Sequence, residues 1–151
     1  MHNIAIPFIT ILIAVAGRSL TTNGLIWYKT IKKPSWTPSG MIIGLVWTTI
    51  FTLAAISALI VWNLHSEDAD ISISMLYLAN GGLNLLWSYI FFTRHRLGLA
   101  IIEATALNIT TIILMILIWP FSIVASLLLL PYVLWVSFAT YLAAVIWKLN
   151  R

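Results

Sequence analysis

Residues 41–64 read MIIGLVWTTIFTLAAISALIVWNL, 24 positions without one charged side chain. A helix needs about 20 predominantly apolar residues to cross the hydrocarbon of a bilayer, so this stretch reads as a membrane span. Outward from it, residues 71–93 and 121–147 are equally free of charge, and residues 97–119 carry Glu103 alone. A shorter apolar run, residues 4–17, opens the chain and continues past Arg18. Five spans are therefore expected, at about 4–20, 41–64, 71–93, 97–119 and 121–148. No period-two alternation is present, so the expected fold is all-α: one domain, an integral membrane bundle of five transmembrane helices.

Composition agrees. The 151 residues are 62% hydrophobic and 8% charged, with a mean hydropathy of +1.03, whereas soluble domains carry about 25% charged residues. Met1-His2-Asn3 lacks the positive leader of a signal peptide, and Arg18 follows the first apolar run instead of preceding it, so that segment is expected to be retained. Lys29, Lys32 and Lys33 fall in the first connection, Arg94 and Arg96 in the third, and Lys148 and Arg151 at the C-terminus. The second connection holds Glu67, Asp68 and Asp70. Cytoplasmic loops are the Lys- and Arg-rich ones, which puts the N-terminus outside and the C-terminus in the cytoplasm. The formal charge of +4 is spread over membrane ends, which argues against a nucleic-acid partner. Without cysteine there is no disulfide or thiolate chemistry.

Eight tryptophans divide into two groups. Trp27, Trp36, Trp62, Trp119 and Trp147 flank apolar runs, where indoles anchor at the headgroup level. Trp47, Trp87 and Trp135 lie inside runs. Residues 21–40, with two tryptophans, Tyr28, Pro34 and Pro38, are too aromatic for a disordered linker and are expected to form an ordered cytoplasmic lid. At ~1.5 Å per residue, Trp47, Phe51, Asn84, Trp87, Glu103 and Trp135 share the half of the bilayer beneath that lid.

Trp47 and Phe51 are four residues apart, with Ala54 and Ala58 continuing their face; this is either a cavity wall or aromatic packing between helices. Asn80, Asn84 and Ser88 form a polar stripe that must face protein or a cavity, as glue between helices or as pocket polarity. Glu103 is an intramembrane acid, for which pairing with Arg18 is the favoured reading over proton coupling. Pro131 kinks the fifth span, as a packing bend or to shape a site beside Tyr132, Trp135 and Phe138. His2, His65 and His95 are terminal or in connections, so neither a metal site nor a conventional catalytic set is expected.

Trp27-Tyr28, then Lys33-Pro34-Ser35-Trp36-Thr37-Pro38, then Gly44 and Trp47, resemble the signature of the translocator protein family, also called tryptophan-rich sensory proteins or peripheral benzodiazepine receptors. Asn84-x-x-Trp87 with Phe91-Phe92, Arg94 and Glu103 is similar to its next block, and Pro131-Tyr132-x-x-Trp135 with Phe138-Ala139-Thr140 to its last. The resemblance implies a bacterial-type member: a five-helix homodimer in the cell membrane, with a pocket closed by the first loop. It implies binding of protoporphyrin, as ligand or substrate, and of aromatic drug-like ligands, with no cofactor required. It further implies a sensory or regulatory role and, in some bacterial members, light- and oxygen-dependent porphyrin degradation.

On that resemblance the ligand contacts are expected from Trp27, Tyr28, Pro38, Trp47, Phe51, Asn84, Trp87, Trp135 and Phe138, with Trp47 and Trp135 as the reactive indoles. Ser39 stands where the family often has a second proline, and Ala144 and Val145 replace the aromatics of the sterol-recognition stretch of animal members, so sterol is not an expected partner. Two other readings stay open: a small-molecule or lipid transporter, for which no inverted repeat is visible, and a non-catalytic membrane interaction protein.

Overall fold

The computed structural model describes residues 2–64 and 71–151. The acidic connection expected at Glu67, Asp68 and Asp70, together with His65, lies outside the described residues. The elements are α1 (His2–Thr30), α2 (Gly40–Leu64), α3 (Ile71–Ser88) running into a π-helical turn (Tyr89–Thr93), α4 (Leu97–Ile118), α5 (Ile123–Leu127) and α6 (Leu130–Leu149). Among the described residues there is no strand, and residues 3–30, 40–64, 97–118 and 123–149 are long and apolar enough to cross a membrane. The protein is a helical membrane bundle.

The first connection is shorter than expected. Residues 21–30, expected in the loop, are helical: α1 runs to Thr30 and leaves residues 31–39 as the connection. Thr21 and Thr22 return their hydroxyls to the carbonyls of Gly17 and Arg18, 2.9 and 2.8 Å away, so these polar residues satisfy themselves without breaking the helix. The helix stops only as Pro34 approaches, since proline disfavours helical geometry in the residue before it.

α1 and α3 run parallel in close register, set by small residues. A Cβ on Gly81 would come within 2.5 Å of Ile13 Cδ1, and one on Gly17 within 3.7 Å of Leu85 Cδ2. One on Gly24 would lie 2.4 Å from the Phe92 carbonyl oxygen. Gly24 thus allows α1 to rest on the backbone of the π turn, where Arg94 N–H bonds Tyr89 O at 3.0 Å. α4 packs antiparallel on α6, with Gly98 beneath the Trp147 indole and Asn108 Nδ2 donating to Ser137 Oγ at 2.7 Å.

The Asn80 stripe joins helices. Asn80 Nδ2 donates to Thr111 Oγ1 (2.8 Å) and Thr110 Oγ1 (3.3 Å) of α4, whereas Ser88 donates back within α3 to the Asn84 carbonyl. That register brings Glu103 level with Ser88. Glu103 is 6% exposed, and among the described residues neither carboxylate oxygen has a hydrogen-bond partner. The expected pair with Arg18 is not formed: Arg18 sits on the exposed face of α1, which packs against α2 and α3 while α4 packs against α3 and α6.

The fifth span is broken just ahead of Pro131, between α5 and α6. Leu129 N–H bonds Ser126 O at 3.0 Å in a tightened turn, which leaves the Ala125 carbonyl without its helical donor. Ser57 of α2 supplies the replacement, donating to Ala125 O at 2.6 Å.

Candidate functional site

The connection 31–39 is strapped across the basic end of the bundle. Lys32 N–H donates to Asn150 Oδ1 at 3.0 Å and Asn150 Nδ2 returns a bond to Lys32 O at 2.9 Å. Trp36 stacks on Tyr141, centroids 5.7 Å apart at 12°, and meets Phe138 edge-on. Lys33 places its ammonium on the carbonyls of Tyr28 and Ile31 and over the Tyr28 ring. Beneath lies an aromatic cluster on Phe91, which stacks on Trp87 at 5.0 Å and touches Trp27, Tyr28 and Phe92. Trp27 also stacks on His95 at 4.0 Å, whose φ of 55° marks the tight reversal into α4.

One turn deeper, the side chains gather on Tyr132 of α6. Trp47 meets its ring edge-on at 5.9 Å and stacks on Phe51 at 5.6 Å. Asn84 Nδ2 faces the Tyr132 hydroxyl at 3.4 Å, and Trp135 packs on the same core group with its indole N–H buried and unbonded. α2 approaches α6 along a short stretch only. On the face of α2 that carries Trp47, a Cβ on Gly44 would meet nothing within 4 Å. Gly44 thus lies open on the α2 surface beneath the strap, beside a seam where Val46, Trp47 and Ile50 of α2 pack on Tyr132, Trp135 and Val136 of α6.

Toward the N-terminal end, α1, α2 and α3 border a half-open cavity of about 350 Å³, walled by Ile9 and Ile13 of α1, Phe51, Ala54 and Ala58 of α2, and Asn80 of α3. The face of α2 on which large aromatics give way to alanines is a cavity wall. Tyr132 closes the floor and so touches both the cavity and the aromatic group beside Trp47.

The chain's relatives bear on this arrangement. The model of the TspO/MBR family matches residues 4–148. The chain belongs to the TspO/MBR family. It is 39% identical over 124 residues, 82% of this chain and 80% of the relative, to "Tryptophan-rich protein TspO" of Bacillus cereus. The identity is 42% over the same shares to "Uncharacterized membrane protein YtaB" of Bacillus subtilis. It is 30% over 140 residues, 91% of this chain and 82% of the relative, to the human "Translocator protein".

In this TspO/MBR chain the residues expected to contact ligand fall into groups. Phe51 lines the cavity; Trp47, Asn84 and Trp135 collect around Tyr132. Trp27, Tyr28, Trp87 and Phe138 pack in the cluster of Phe91, and Pro38 lies half-buried in the strap. The open space expected wholly beneath the lid extends instead along α2 into the opposite half. Tyr132 stood in the sequence as a neighbour of the Pro131 kink; its place as the shared residue shows only when α2, α3 and α6 are brought together.

Proposed function

We propose that this member of the TspO/MBR family is a membrane sensory protein that binds tetrapyrroles, protoporphyrin in particular, at the aromatic seam of α2 and α6 beneath the strap 31–39. The observation that carries the reading is the gathering of Trp47, Phe51, Asn84 and Trp135, from three helices, around Tyr132 beside the open face at Gly44. A flat apolar macrocycle matches indole and phenyl walls with few polar groups. Its carboxylates suit the basic end, where Lys29, Lys32, Arg94 and Arg96 are exposed. The names of its relatives, tryptophan-rich protein and translocator protein, support a common role without naming a ligand.

The test is titration of protoporphyrin against the purified protein, read by tryptophan quenching. Trp47→Ala and Trp135→Ala should each weaken binding by roughly 5- to 150-fold, the range for losing one aromatic stacking partner, about 1–3 kcal/mol. Unchanged affinity in both folded variants would remove this site. Light- and oxygen-dependent loss of bound porphyrin, slowed by Trp47→Phe or Trp135→Phe, extends the reading to turnover.

The strap and C-terminus face the cytoplasm in this proposal, as the lysine and arginine placement supports. In intact cells an impermeant thiol reagent should label Ser66→Cys and spare Ser35→Cys. The reverse pattern inverts the orientation.

A further inference from the structure

Asn80 and Tyr77, two polar residues that line the α1–α2–α3 cavity, present acceptors, and their protons are already committed. Thr110 and Thr111 both donate their hydroxyl protons to Leu107 O at 2.8 Å. The Asn80 atom facing them must therefore be the amide nitrogen, which fixes the orientation of the side chain and turns its carbonyl Oδ1 away from α4. Asn80 is 5% exposed and lines the cavity, and Oδ1 receives no hydrogen bond among the described residues. One turn along α3, Tyr77 follows the same logic. Ser57 gives its proton to Ala125 O, so the 2.7 Å contact between Ser57 and Tyr77 is donated by the Tyr77 hydroxyl. That leaves lone pairs on Tyr77, which also lines the cavity. Tyr132, the floor, turns its hydroxyl toward Asn84, outside the lining.

Among the described residues no charged side chain lines the cavity, and an apolar site without a counter-charge disfavours ions. The volume of about 350 Å³ lies at the small end of ligand pockets, roughly 300–1,000 Å³, and suits a compact ring system better than a macrocycle. We infer that this cavity is a second ligand site, adjoining the aromatic seam beneath the strap through Phe51 and Tyr132, and that it takes a small neutral apolar alcohol or phenol whose hydroxyl donates to Asn80 Oδ1. Ala54, Ala58 and Gly81 keep the slot clear, and Ile13, seated on Gly81, closes its end. The ligand reaches it from the membrane, where such molecules concentrate. The inference does not require tetrapyrrole binding, although Phe51 and Tyr132 border both sites.

The experiment compares 2-naphthol with 2-methoxynaphthalene, the same ring system without a donor, as saturable ligands of the full chain in nanodiscs, each affinity corrected for partition into empty discs. Because a buried acceptor left unpaired penalises the analogue, 2-naphthol should bind the wild-type protein on the order of tenfold more tightly. Ala58→Phe, which fills the slot, should abolish the saturable component. Equal affinity for the two probes in the wild type would overturn the inference, leaving a crevice that lipid fills. Undiminished 2-naphthol binding by a folded Ala58→Phe protein would overturn it as well. The probe pair needs no substitution, so the test holds even if that variant fails to fold.

Discussion

Gly24→Ala is expected to be the most damaging single methyl group that can be added to this protein. The new Cβ would sit 2.4 Å from the Phe92 carbonyl oxygen and 2.8 Å from Phe92 Cα, and neither can swing aside as a side-chain tip would. α1 must lift off the π turn, loosening the cluster of Trp27, Tyr28 and Phe91 that rests on that approach. Overpacking costs ~1–3 kcal/mol and occasionally more; against backbone, the upper end applies, about 3 kcal/mol. For a chain of this length that corresponds to a fall in melting temperature on the order of 10 °C. Gly82→Ala is the matched control: nothing lies within 4 Å of its Cβ, and replacing a helical glycine by alanine gains roughly 0.5–1 kcal/mol. If the two variants melt together in the same detergent, the close seating of α1 on the turn is wrong.

The second large effect concerns ligand rather than stability. Gly44→Phe should leave the melting temperature unchanged, because its Cβ meets open space, yet place a ring over the aromatic seam of α2 and α6. Gly44 precedes Trp47 by three residues on the same helical face, so the ring occupies the space proposed for the macrocycle. Protoporphyrin affinity should fall at least about tenfold, the equivalent of some 1.4 kcal/mol. A Gly44→Phe protein that binds protoporphyrin as the parent does would move the site elsewhere.

Much of the bundle could be read before the coordinates. Runs with at most one charge marked α2, α4 and the α5–α6 segment because hydrocarbon excludes charge, whatever the packing. The end of α1 could not be read the same way. Arg18, Thr21, Thr22 and Asn23 look like a loop to any measure of hydropathy, yet the helix continues because hydroxyls fold back on its own carbonyls. The better signal was the absence of proline between Pro7 and Pro34.

For the site, the α2 face of Trp47, Phe51, Ala54 and Ala58 was legible because aromatics gave way to small side chains at helical spacing. The opposing wall from α1 was not. Ile6, Ile9 and Ile13 look the same whether they face lipid or a cavity, since an evenly apolar helix has no distinguishing stripe. The Glu103–Arg18 pair failed for a related reason: sequence gives the depth of a residue along its helix but not the direction it faces.

The stapling of Ala125 O by Ser57 carries a consequence for biogenesis. A spanning helix ordinarily enters the bilayer with its backbone bonds complete and associates with its neighbours afterwards. The final segment here does not have that freedom, because the break before Pro131 opens a carbonyl that only α2, synthesised some seventy residues earlier, can close. Ser126 likewise needs the Met115 carbonyl of α4. Insertion and docking of the last helix are thereby fused into one event: the earlier helices must already be assembled, with Ser57 turned inward, to receive it. A nascent chain halted before α6 emerges would hold a preformed berth, and a chain lacking the Ser57 hydroxyl would stall at the last step of its maturation rather than at any earlier one.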